Sequence, residues 1–280
     1  LLFLSEICYI VSGAFHNRIG RELPMRVTII CLGLTVIGLL FTALSEAEID
    51  PKTIAGLWLF DEGMGKEVED SSGNKLNAIL KDGAPTWVNG KFGKALEFSG
   101  VEYLEIRDSA MNLSFGGTKS FTITAWVKNQ GGGYVVTKFN RHVIGEYILS
   151  ISGGGTVSFH REVAPWSFSG TKVLPRNEFG HVAVTYDGAE MKIYVNGELD
   201  TKQKRGAQNT DNVTPVLIGG RYKNNKPDPD NRFRGVLDEV AIFNVALSKE
   251  QIQEVMKGLS PAGAVSAPGK LATIWGEIKS

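Results

Sequence analysis

The stretch HVAVTYDGAEMKIYVNGEL (residues 181–199) limits what this chain can fold into more than any other. Val182, Val184 and Tyr186 alternate with His181, Ala183 and Thr185; then Met191, Ile193 and Val195 alternate with Lys192, Tyr194 and Asn196. A period of two sends successive side chains to opposite faces, so each half reads as a strand with one face in a core. Asp187-Gly188 and Asn196-Gly197 close the two halves with residues that tolerate the positive φ of tight hairpin turns.

The same alternation recurs through most of the chain. It predicts strands in GLWLFD (56–61), NAILK (77–81), ALEFS (95–99), EYLEI (102–106), SFTITAWVK (120–128), YVVTKF (134–139) and EYILSIS (146–152). Further strands are expected in TVSFHRE (156–162), PVLIGGR (215–221) and FRGVLDEVAIFN (233–244). Short strands separated by Gly, Asn, Asp and Pro, with no long amphipathic segments between them, indicate an all-β sandwich or barrel and exclude parallel βαβ units. One short helix is expected over 247–256, where Ser248 and Gln251 have the spacing of a capping box and Gly258 supplies the stop.

Charge narrows the partners. The chain carries 30 basic and 30 acidic side chains, which gives no net field for nucleic acid or an anionic membrane. Met25-Arg26, the apolar run 27–44 and Ser45-Glu46-Ala47 form the pattern of a signal peptide over 25–47, with cleavage after Ala47. The alternative for that run is a retained anchor. Residues 1–24 are expected to be an upstream extension, 48–258 the folded domain, and 259–280 a Pro/Gly/Ala/Ser linker with a short apolar tail. Both cysteines, Cys8 and Cys31, fall before the cleavage point, so the exported chain is expected to have no disulfide and no membrane span.

Several stretches, taken together, resemble the laminin-G-like, concanavalin A-like jelly-roll superfamily in its bacterial form. They are GLWLFDEGMGKEVEDSSGN (56–74), GKFGKALEFSGVEYLEI (90–106), SFTITAWVK (120–128), the hairpin at 181–199, IGGR (218–221) and FRGVLDEVAIFNVALSKEQI (233–252). The resemblance implies an antiparallel sandwich of two sheets, one of them curved. In that family the concave face or rim loops commonly bind carbohydrate or protein, often with a structural Ca²⁺.

The polar and aromatic residues bear on three kinds of chemistry. For catalysis, the E-x-D-x-x-E strand pattern of related glucanases is absent, and so is Gly-x-Ser-x-Gly. Strand alternation puts Asp238 and Glu239 of LDEV on opposite faces, where they could not act as a pair. His181, just before a core strand, reads as a satisfied structural histidine. For a metal, Ca²⁺ requires several oxygen ligands, and Asp238 with Asp61 or Asp70 and Asn74 is the expected set; the alternative for DSSGN is an Asx turn. For a sugar, aromatic rings beside planar polar groups are needed, and the candidates are Trp166, Tyr134, His160, Arg141 and Arg221. Trp58 and Trp126 read as core.

The expectation is a non-catalytic binding domain, secreted, periplasmic or on the surface of a bacterial cell, that binds carbohydrate. The alternative is a protein-interaction or adhesion domain of the envelope, and a glycoside hydrolase or polysaccharide lyase ranks below both.

Overall fold

The computed structural model describes residues 48–84, 86–106 and 109–260. The expected signal peptide and the apolar tail lie outside the described residues. What is described is a sandwich of two antiparallel sheets with jelly-roll connections, as the strand pattern predicts.

The first sheet contains β1 (Ile54–Trp58), β4 (Thr86–Asn89), β5 (Lys94–Ser99), β7 (Phe121–Arg141), β11 (Phe179–Tyr186), β12 (Glu190–Val195), β13 (Glu198–Lys204) and β17 (Arg234–Phe243). Its order is β4-β5-β17-β7-β11-β12-β13, with β1 lying beside the second half of β17. The second sheet contains β2 (Glu67–Val68), β3 (Ala78–Lys81), β6 (Tyr103–Ile106), β8 (Ile144–Ile151), β9 (Thr156–Arg161), β10 (Ser167–Val173) and β14 (Leu217–Ile218). Its order is β2-β3-β6-β14-β7-β8-β9-β10. β15 (Tyr222–Lys223) runs parallel to the end of β7 and pairs with β16 (Lys226–Pro227). The two strands expected at 120–128 and 134–139 are therefore one long β7, which leaves the first sheet and enters the second across Gly131-Gly132-Gly133.

Alternation places Val182, Val184, Tyr186, Met191, Ile193 and Val195 between the sheets, as the hairpin predicts. Phe121 is at the centre of that core, 4.8 Å from the Phe115 ring centre and 5.2 Å from that of Tyr147. The buried Arg161 guanidinium lies 3.8 Å from the centre of the Tyr186 ring.

Part of the outer face of the first sheet is also covered. Helix α1 (Ser109–Asn112) is a single turn, but α2 (Lys249–Val255) packs Ile252 and Val255 onto Ala183, Tyr194, Ala241 and Phe243, with Ile49, Leu57 and Leu259 completing a second core. The expected capping box of α2 is present: Ser248 Oγ accepts from Gln251 N–H, and Gln251 Oε1 accepts from Ser248 N–H.

Trp58 and Trp126 are both buried, as expected, Trp58 in the main core and Trp126 on the opposite side of the first sheet, between Asp238 and His181 in register. Two expectations are corrected on this outer face. β17 bulges between Asp238 and Ala241, and Glu239 adopts a φ of 44°. The extra residue leaves Leu237 and Val240 both in the main core and turns Asp238 and Glu239 to the same outer side. His181 is structural but not satisfied: it is fully buried against Trp126, and neither ring nitrogen has a hydrogen-bond partner among the described residues. Burial alone pushes its pKa down to about 3.

Candidate functional site

A groove of about 500 Å³ opens on the outer face of the second sheet. That is within the size range of small-molecule sites. It exists because β7 can make its crossover beside another stretch of backbone. Gly132 and Gly133 have φ of +77° and +123°, and a Cβ on Gly133 would lie 2.6 Å from the Arg232 carbonyl oxygen. Only glycine permits that conformation and that approach. The loop before β17 therefore packs directly against β7, with Tyr134 N–H donating to the Asn231 carbonyl at 3.1 Å.

The floor is a row of outward-facing residues in register. Tyr134 on β7 pairs with Ser150 on β8, Ser150 with Ser158 on β9, and Ser158 with Ser169 on β10. The last two hydroxyls are 2.7 Å apart. Asn231, Arg232 and Arg234 form the facing rim.

Arg221, behind the Tyr134 ring, and Arg232, on the rim, are held differently. Arg221 is 4.6 Å from the centre of the Tyr134 ring and pairs with buried Asp228 at 2.8 Å. Burial pushes the Asp228 carboxyl up, but the Asp230 N–H and the Arg221 guanidinium outweigh it and hold the pKa below the ordinary carboxylate range. Burial raises the Tyr134 phenol, opposed by Arg221. Arg232 lies over the Tyr103 ring at 4.9 Å, donates to the Val101 and Asp228 carbonyls, and pairs with Asp82 at 2.9 Å.

Of the five residues expected to touch a ligand, only Tyr134 lines the groove; Arg221 packs against the Tyr134 ring but is not part of the lining. His160 is on the same face two residues further along β9, pairing with Ile148 while Ser158 pairs with Ser150. It does not line the groove. Its ring lies edge-on to Phe139 at 5.0 Å, and its Nε2 is 2.9 Å from Glu162. Burial lowers its pKa, with Glu162 opposing. Arg141, exposed at the end of β7, and Trp166, 52% exposed before β10, are not part of the lining. Sequence reasoning missed Ser150, Ser158, Asn231, Arg232 and Arg234. The signals available were the glycine triplet beside Tyr134 and the NRFR segment (231–234) leading into the last strand.

The oxygen-rich residues separate into two groups. Asp70 accepts from the N–H groups of Leu57, Ser72 and Leu76, and Asn74 donates to the Ile54 and Ala55 carbonyls, so both act as turn braces. Asp238 Oδ2 accepts from Lys91 and Phe92 N–H at 2.7 and 3.0 Å, while its buried Oδ1 has no partner among the described residues. Burial raises the Asp238 carboxyl to about 7, and the nearby Asp61 charge adds to the shift. Glu239 is raised to about 8 by burial and by Asp238. An unpartnered carboxylate oxygen among like charges fits a hard cation. Among the described residues, however, no group of three or more His, Cys, Asp or Glu side chains is arranged to hold one.

The concanavalin A-like lectin/glucanases superfamily matches residues 98–253, which include β6 to β17 and every residue lining the groove. The chain belongs to that superfamily. Among curated proteins, adhesion G-protein coupled receptor V1 of Danio rerio is 24% identical over 149 residues, which is 49% of this chain and 2% of the receptor. The superfamily fold recurs in domain 4 of AbnA, a GH43 extracellular arabinanase from Geobacillus stearothermophilus solved with arabinotriose. That match has a TM-score of 0.58 and 18% identity and covers 72% of this chain and 98% of the domain. The binding domain of Paraclostridial Mosquitocidal Protein 1 matches with a TM-score of 0.57 and 16% identity, over 74% of this chain and 52% of that one. A structure of botulinum neurotoxin type C, described as entering cells through two ganglioside molecules, matches with a TM-score of 0.53 and 17% identity, over 73% and 51%.

Proposed function

We propose that this is an exported, non-catalytic carbohydrate-binding domain whose ligand lies in the groove beside Tyr134. The observation that carries the reading is the Tyr134 ring, fixed from one side by Arg221 and set among hydroxyl, amide and guanidinium groups. A sugar presents an apolar face for such a ring and hydroxyls for such neighbours. A glycoside hydrolase would instead need two carboxylates facing each other across the bond. The neighbours solved with arabinotriose or described with gangliosides support the same reading.

Calorimetric titration of the chain with arabinose-, galactose- and glucose-based oligosaccharides tests it. Binding by at least one of them is expected, weakened about tenfold or more by Tyr134→Ala through loss of the ring contact. Release of reducing ends from any of these sugars would overturn the non-catalytic part.

The second reading, a protein ligand at a cell surface, is favoured by the similarity to an adhesion receptor. It predicts that no oligosaccharide binds and that the groove variants lose an envelope protein instead. Ca²⁺ at Asp238 and Asp61 is part of the proposal as a structural ion, supported by the unpartnered Asp238 Oδ1.

A further inference from the structure

The three arginines around the groove differ in one respect. Arg221 is neutralised by Asp228 and Arg232 by Asp82. Arg234 is exposed and lines the groove, and its side chain makes no hydrogen bond or ion pair among the described residues. Nor is its position accidental. A Cβ on Gly100 would lie 2.5 Å from Arg234 Nε, and one on Gly131 would lie 3.0 Å from its Cβ, so two glycines leave a trough for this side chain. The lining contains no carboxylate, so the Arg234 charge is not offset within the groove.

We infer that the groove takes a glycan carrying a carboxylate, a uronic or sialic acid residue, with the Arg234 guanidinium gripping that carboxylate while Tyr134 supports the sugar ring. A guanidinium matches a carboxylate with two parallel N–H···O bonds, a geometry that an ammonium or a neutral side chain does not reproduce. A partly enclosed groove also screens the pair less than open solvent does. The inference rests on the carbohydrate-binding reading and names the sugar class for the same groove.

The test titrates the full chain with trigalacturonate and sialyllactose, each beside its neutral counterpart, galactotriose and lactose. At least one acidic sugar is expected to bind about tenfold or more tightly than its neutral partner, and which one does so identifies the source of the carboxylate. Arg234→Gln should abolish that preference, Arg234→Lys should restore only part of it, and neither should move the melting temperature. Added salt should weaken only the acidic sugars. If the neutral sugars bind equally well, the inference fails and the carbohydrate reading stands; if none of the four binds, the inference fails, and the carbohydrate reading fails with it only if the arabinose- and glucose-based oligosaccharides do not bind either. Equal or tighter binding of a sulfated heparin tetrasaccharide, lost in Arg234→Gln, would overturn the carboxylate class in favour of charge alone.

Discussion

Arg221 holds its guanidinium 4.6 Å from the centre of the Tyr134 ring and has Asp228 as its ion-pair partner, with both charged groups withdrawn from solvent. The ring is therefore positioned from behind by a pair that belongs to the fold. Arg221→Met keeps the stem and removes the charge, leaving Asp228 buried with only its backbone partner. Breaking a buried pair from one side costs about 3 kcal/mol or more. In a domain of this size that lowers Tm by roughly 10 °C, measurable by calorimetry. Half-buried Tyr134 closes no such pair, so Tyr134→Ala should lower Tm far less while removing ligand affinity. Equal thermal losses in the two variants would contradict this division of roles.

His181 makes stability depend on pH. Its pKa falls from 6.5 to about 3 because the fully buried ring cannot be solvated as a cation. Below pH 6.5 the unfolded chain therefore binds a proton that the folded chain refuses. This contribution is intact above pH 6.5 and is lost progressively as the pH falls towards 3, by up to ~1.4 kcal/mol per pH unit. His181→Phe keeps an aromatic ring against Trp126 and removes two nitrogens that have no partner. The variant should be within about 1 kcal/mol of the parent at pH 7.5 and roughly 2 kcal/mol more stable at pH 5, by urea unfolding. Parallel stability profiles across that range would rule the assignment out.

The proposed Ca²⁺ at Asp238 and Asp61 has a thermal signature. An ion that binds only the folded state stabilises it by mass action, ~2.7 kcal/mol when present at about one hundred times its Kd. EDTA should lower Tm, excess Ca²⁺ should restore it, and Mg²⁺, which requires tighter octahedral geometry, should restore less. Asp238→Asn should remove the response. An unchanged Tm in EDTA would dispose of the ion.

The hairpin at 181–199, the order of the main strands and the capped helix could all be read from the chain because each depends on local period and local turn chemistry. Tyr134 and Arg221 were legible as residue types suited to a sugar, but nothing local showed that they meet. The orientation of Asp238 and Glu239 was misread because a bulge adds one residue and reverses the alternation, and LDEV carries no mark of it. The outer core of Leu57, Ala183, Tyr194, Ala241 and Phe243 depends on α2 folding back across the first sheet, a long-range contact that no period encodes. Arg232 and Arg234 escaped notice for the same reason. They are about a hundred residues from Tyr134 in sequence and reach it only because a glycine crossover lets two backbones touch.

That crossover supplies the last prediction. Gly133 has a φ of +123°, and its missing Cβ would lie 2.6 Å from both the Arg232 carbonyl oxygen and Phe233 Cα. Backbone cannot give way as a flexible side chain can, so Gly133→Ala must either strain β7 or push the 229–234 loop away from Tyr134. The strain alone costs about 2 kcal/mol or more. Displacing the loop would also carry Asn231, Arg232 and Arg234 off the rim. Gly154, in the β8–β9 turn, is a matched control: a Cβ there meets only Ser152 Oγ at 3.7 Å, an ordinary contact. Gly133→Ala should therefore lower both Tm and ligand affinity, and Gly154→Ala should leave both within error. If Gly133→Ala binds ligand as the parent does with Tm unchanged, the close approach of the two backbones is not what builds the groove.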